Sequence, residues 1–198
     1  MSISVNSLGK LWWIDPPGTV PQAYPFLWAL ISALILEPVA LVIIVARAGS
    51  KYIPRVEVHR KREETFAFMC NYIRHGTSVT IVSNRLSLLT QSDDFLDEVL
   101  KEANAGKHFE MITSIPIREE LQTKLKEVGV SFYVTGQEPP EARFTLINSD
   151  RAGAERLAIA NGTHPNHEIT IFDKTSGPHM IAMAKDIVKK SKSLANVP

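Results

Sequence analysis

Residues 77–89 read TSVTIVSNRLSLL. From Ser78 to Ser83 the run is dominated by β-branched side chains and follows a glycine, Gly76. Such a short apolar run behind a helix-stopping glycine predicts a strand. On its N-terminal side, residues 57–75 carry Phe66, Phe68, Met69 and Ile73 at helical spacing, which predicts a helix ending at Gly76. On its C-terminal side, Ser92–Ala105 predicts a second helix. Phe95, Leu96, Val99 and Leu100 share one face, and Asp93 and Asp94 sit early in it, where the dipole favours acids. A strand at Phe109–Thr113 follows, then a helix opened by Pro116 and stopped by Gly129, then a strand at Val130–Val134.

Further along, the rhythm changes. Ala142–Asn148, Arg156–Ala160 and Glu168–Phe172 read as three successive strands, with Asn161-Gly162 the clearest turn between them. An amphipathic helix from about Gly177 to Leu194 closes the chain, its apolar side formed by Ile181, Met183, Ala184, Ile187 and Val188. Strand–helix alternation predicts an α/β domain with a mixed, mainly parallel sheet flanked by helices.

Upstream lies a different kind of segment. Residues 24–46, YPFLWALISALILEPVALVIIVA, contain one charged residue, Glu37. About 20 apolar residues cross the hydrocarbon core of a bilayer, so one transmembrane helix is expected over 24–48. Trp12, Trp13, Tyr24 and Trp28 gather on its N-terminal side, as interfacial aromatics do. Arg47, Lys51, Arg55, Arg60, Lys61 and Arg62 follow it, against Lys10 alone before it. The positive-inside rule then puts 1–23 outside as a short extracytoplasmic segment and the C-terminal domain in the cytoplasm. A cleaved signal peptide fits less well: the apolar run is long, starts late and lacks a basic n-region.

Glu37-Pro38 in mid-span is unusual. A charged carboxylate there costs on the order of 3 kcal/mol on insertion scales, and Pro38 removes a backbone hydrogen bond. Ala29, Ala33 and Glu37 recur every four residues and share a face, a spacing that lets helices approach and a polar group bond across the contact. Ala29, Ala33, Glu37 and Pro38 are therefore the candidate membrane or oligomer interface. The chain thus divides into 1–23, the transmembrane helix 24–48, a basic linker and helix over 49–76, and the α/β domain 77–198.

The stretch from Thr77 to about Lys190 resembles one half of the phospholipase D-like superfamily. The pieces that carry the resemblance are TSVTIVSNRLSLL, a helix leading into AGKHFEMITSI, then LKEVGVSFYV and ARFTLINSD. The family's catalytic motif is His-x-Lys-x4-Asp, in which the histidine attacks phosphorus and the lysine neutralises the phosphate. The matching window is Arg143–Asp150. Arg143 stands where the histidine belongs and Thr145 where the lysine belongs; Asp150 matches. The nucleophile must also serve as a leaving group, and a guanidinium that stays protonated cannot. The resemblance therefore implies a catalytically inactive member that keeps a binding role. Arg143 and Thr145 share a strand face, and Arg143 can hold a phosphate or carboxylate bidentately. Asn84 and Arg85, just beyond the first strand, lie where open α/β sheets place ligands. Asn84, Arg85, Arg143, Thr145 and Asp150 are the candidate ligand-binding residues. Chains with one half of the family's unit pair with a second, so self-association is expected.

The remaining features are bland. The net charge of +1 gives no sign of a nucleic-acid partner. The single Cys70 excludes an internal disulfide and reads as core. His164, His167, Asp173 and His179 are close in sequence but read as polar loop positions, not as a metal site. No Walker loop, Rossmann glycine signature or Ser-His-Asp context is present, so no cofactor is expected. The leading expectation is a membrane-anchored binding or regulatory module for an anionic ligand, a membrane lipid or a protein. An accessory subunit of a larger membrane complex and a membrane-bound phosphodiesterase stay open beside it.

Overall fold

Ser78–Val82 forms a strand buried at all five positions. It lies in the interior of a seven-stranded sheet in the computed structural model, which describes residues 27–136 and 143–195. The chain divides into two compact units, 1–48 and 49–198.

Within the first unit, α1 spans Leu27–Gly49, with Pro38 inside it and Arg47 in its last turn. Its side chains are described from residue 31 to residue 47, and all of these are exposed. They include Ala33 and Glu37; Ala29 belongs to the helix, but its side chain lies outside the described residues, as does the whole of 1–23. Among the described residues, no helix is long and apolar enough to cross a membrane.

The second unit opens with a 3-10 turn, Ser50–Tyr52, and runs β1 (Arg55–His59), α2 (Arg62–Arg74), β2 (Ser78–Val82), α3 (Ser87–Gln91), α4 (Asp93–Asn104) and β3 (His108–Thr113). It continues through α5 (Glu119–Glu127), β4 (Ser131–Val134), β5 (Arg143–Ile147), β6 (Arg156–Asn161), β7 (His167–Asp173) and α6 (Pro178–Leu194). The sheet order is β1-β7-β6-β5-β2-β3-β4.

Two expectations about the elements need correction. The sheet is mixed, but not mainly parallel. Only β2–β3 and β3–β4 pair in parallel, whereas β1–β7, β2–β5, β5–β6 and β6–β7 are antiparallel. For β5–β6 and β6–β7 the cause is connection length. A parallel return needs a crossover of a dozen or more residues; eight residues separate β5 from β6 and five separate β6 from β7. The second correction concerns 57–75. Residues 55–59 form an edge strand paired with β7, and the helix starts later, at Arg62.

Local chemistry sets the start of α2. The Glu64 carboxylate accepts from the backbone N–H of Arg60 (2.9 Å) and of Lys61 (3.3 Å). That is a capping box turned back on its own first turn. The bond from Arg60, then that from Lys61, holds Glu64 below its ordinary pKa. At the other helices Ser92 caps α4 by accepting from Phe95 N (3.2 Å), and Pro178 occupies the first turn of α6.

Two apolar clusters cover the two faces of the sheet. On one, α2 to α5 bring Met69, Ile73, Phe95, Val99 and Leu125 against Val79, Ile81, Phe109, Met111 and Ile147. On the other, Ile181, Ala184 and Val188 of α6 pack against Val82, Ile112, Phe144, Leu146 and Leu157. Fully burying one such large side chain contributes about 1.5–3 kcal/mol. Cys70 is half-buried beside the first cluster, where burial raises its thiol pKa. Under α6, the buried Glu110 accepts from Thr80 Oγ1 (3.1 Å) and pairs with Lys192.

Candidate anion-binding cleft

Strand direction decides which candidate residues meet. β5 runs antiparallel to β2, with Phe144 opposite Val82. The start of β5 therefore lies beside the end of β2. Arg143, the first residue of β5, comes next to Ser83, Asn84 and Arg85, which leave β2. The β6–β7 turn arrives at the same end, because Arg143 pairs with Ala160 near the end of β6.

These segments enclose a cleft of about 330 Å³. Three arginines line it: Arg62 from the first turn of α2, Arg85 from the β2–α3 connection and Arg143 from β5. Asn84, His164 and His167 line it too, and among the described residues it has no aspartate or glutamate in its wall. A concave site with three guanidiniums and no acid favours an anion, because each guanidinium offers a planar fork of donors to phosphate or carboxylate oxygens.

Two buried polar atoms at this cleft have no hydrogen-bond partner, Asn84 Oδ1 and His164 Nδ1. Buried polar groups are paired in the great majority of cases, so two orphans in one wall mark a place for a ligand or its water. Backbone geometry points the same way. Leu86, between Arg85 and α3, adopts φ 45°, ψ 42°. For a branched, bulky side chain that is a left-handed outlier, and strain of this kind gathers at ligand sites. Leu86 itself is buried, which anchors the turn that carries Arg85.

On the β7 side, three polar side chains stand in a row. His59 Nδ1 lies 3.2 Å from Thr65 Oγ1, which lies 3.5 Å from His167 Nδ1. The His164 and His167 rings stack at 4.9 Å. Burial lowers the pKa of His167, and the neighbouring His164, His59 and Arg143 add to that shift. Its neutral form is therefore favoured in the ligand-free cleft. Gly162 makes the β6–β7 turn possible: its φ is +73°, and a Cβ there would meet Asn166 O at 2.5 Å.

The sequence candidates thus part company. Asn84, Arg85 and Arg143 converge on the cleft. Thr145 is buried and lines the smaller cavity that continues beneath Arg143. Asp150 stands at the opposite end of β2, where it accepts from Ser78 Oγ, the main reason its pKa is lowered. Arg62, His164 and His167 were not among the ligand candidates. Arg62 read as part of a basic tract and the two histidines as loop residues; the Asn161-Gly162 turn was the signal that β7 would return beside β6. Of the histidines and aspartate close together in sequence, His164 and His167 meet. Asp173 lies at the far end of β7, binding the backbone of Thr175 and Ser176 (both 2.8 Å). Among the described residues, no group of three or more His, Cys, Asp or Glu is placed to hold a metal ion.

No protein-family model matches the chain, and no curated protein matches it. Among solved structures, the chain is similar to the polyphosphate kinase of Porphyromonas gingivalis, with 10% identity and a TM-score of 0.51. The match covers 69% of this chain and 24% of that one, so the chain spans about a quarter of the kinase's length. At that identity the likeness speaks to the fold alone.

Proposed function

We propose that this chain is a membrane-anchored, catalytically inactive phospholipase D-like module that binds an anionic, phosphate-bearing ligand and associates with itself. One observation carries the reading: Arg62, Arg85 and Arg143 converge on one cleft whose described wall has no acid. Arg143 stands at the position of the family's nucleophile, and its permanently charged side chain suits holding a phosphate rather than attacking it. The apolar run of residues 24–46, with Glu37 its one charged residue, supports the anchor. Basic residues at its C-terminal side would face the cytoplasm.

The test is a calorimetric titration of the detergent-solubilised full chain with inorganic phosphate, a phosphate monoester and a short linear polyphosphate. Arg143→Gln weakens the bound probe by about tenfold or more, as expected for loss of a charge-assisted bidentate contact, while the melting temperature stays within a degree or two. No measurable binding of any of the three, or equal binding by Arg143→Gln, would sink the reading.

One observation favours a phosphodiesterase as the second reading. His167, neutral in the ligand-free cleft, reaches the same cavity as Arg143 from a neighbouring strand, and a neutral imidazole can attack phosphorus. Turnover of a phosphodiester probe that disappears in His167→Ala would move the assignment there.

A further inference from the structure

A second cavity, of about 470 Å³, lies at the other end of the sheet. Its wall comes from the start of β1, the ends of β7 and α2, and the first residue of β6. Lys51, Arg55, His75 and Arg156 supply its basic and titratable groups, Asp173 its one acid, and Ile53, Phe68 and Ile171 its apolar floor.

Tyr72 sits in this wall, 7% exposed, and its hydroxyl is buried without a hydrogen-bond partner. The ring is fixed by stacking on Phe68 at 5.9 Å. Burial raises the phenol's pKa far above its usual value, against a smaller opposing effect of Arg156. The hydroxyl therefore remains a donor at every physiological pH, and it lacks an acceptor. The neighbouring cations are differently engaged. Arg55 is paired with Glu57, whereas Lys51 and Arg156 form no ion pair among the described residues. Asp173 is occupied by Thr175 N, Ser176 N and Ser176 Oγ. Arg156 stands opposite Asp173 in the β6–β7 pairing and helps to lower its pKa, though without an ion pair; two cations outside ion pairs and a buried donor without an acceptor are complementary to an oxyanion.

We infer that this cavity binds the phosphate of a phosphate ester, with Arg156 and Lys51 as the cations and the Tyr72 hydroxyl as the donor. Two sources share that chemistry: a soluble ester, and the headgroup of an anionic lipid. The lipid source rests on the proposed membrane anchor. Lys51 follows Gly49, the last residue of α1, by two residues, a reach of about 7 Å at most.

The experiment uses the full chain in two settings, and compares wild type with Tyr72→Phe, Arg156→Gln and Arg143→Gln. In detergent, glycerol 3-phosphate is titrated by calorimetry. In nanodiscs, hydrogen exchange of residues 51–55 and 68–75 is compared between phosphatidylcholine alone and phosphatidylcholine with phosphatidylglycerol. Tyr72→Phe weakens the ester by about tenfold, Arg156→Gln by at least as much, and Arg143→Gln leaves this site unchanged. Protection that appears only with phosphatidylglycerol, and is lost in Tyr72→Phe and Arg156→Gln, assigns the lipid source. Tyr72→Phe removes an unpaired buried hydroxyl, so its melting temperature without ligand equals or exceeds that of wild type, and lost binding cannot be lost folding. Binding of neither probe, or binding that Tyr72→Phe and Arg156→Gln leave intact, would overturn the inference. Binding that only Arg143→Gln weakens would also overturn it while upholding the arginine cleft.

Discussion

At the scale of single residues, Arg143 matters most, because it heads β5 and brings a guanidinium to the cleft. The pattern of β5 is otherwise that of a core strand, with Phe144, Leu146 and Ile147 buried. His167 gives the cleft a second property, a dependence on pH. Its pKa is lowered by burial first and by nearby His164, His59 and Arg143 next. The unfolded chain takes up a proton on this side chain at about pH 6.5, whereas the folded chain does so only at lower pH. Folding stability is therefore unaffected by this group above about pH 6.5 and declines as the pH falls below it. A bound anion supplies the missing negative partner and raises the same pKa, so ligand affinity increases as the pH falls through that window. Melting temperatures between about pH 5 and 8, with and without phosphate, should diverge toward the acid end. His167→Gln should flatten both curves; profiles that coincide with wild type would place the titrating group elsewhere.

At the scale of elements, several were legible because local and tertiary demands agreed. Ser92–Ala105 has its apolar stripe, its serine cap and its early acids in one register, and α4 forms over Asp93–Asn104. The strand at Ser78–Val82 needed only its β-branched run. β1 straddles the expected linker and the expected helix 57–75, because Arg55–His59 is short and charged. Its two valines face solvent, Val56 at 49% and Val58 at 61% exposure. It is held as a strand by backbone pairing with β7, more than 100 residues away, and by no apolar face of its own. Residues 87–91 were likewise not singled out as a helix; α3 is a single short turn with buried Leu89 that follows the left-handed Leu86. α1 carries its own prediction. Ala33 and Glu37 lie exposed on it, at the spacing that favours helix pairing. The detergent-solubilised chain should have the mass of a homo-oligomer by light scattering, and Glu37→Ala should shift it toward monomer. A monomer for both proteins would remove self-association and direct attention to a partner subunit.

At the scale of the whole molecule, both apolar clusters belong to the unit 49–198. Every residue of those clusters lies at or beyond Met69. A chain starting at residue 49 should therefore lose only the helical signal of α1 in circular dichroism and melt cooperatively; a flat, non-cooperative melt would mean that 1–48 contributes to folding.

The sequence by itself determined the long apolar segment, the α/β composition, and the positions of most helices and strands. Those features are local: they depend on the spacing of apolar positions and on caps, glycines and prolines within a few residues. It also pointed to Asn84, Arg85 and Arg143, since residues beyond the end of one strand and at the head of another are placed by general rules of sheets. Only the tertiary structure decided that β5 enters antiparallel beside β2 and that the β6–β7 turn closes over the same end. That arrangement brings Arg62, His164 and His167 to Arg143 and sends Asp150 to the far end of the sheet. Pairing partners are chosen by contacts between residues far apart in the chain, and a charge pattern read along the chain carries no record of which loops will face one another.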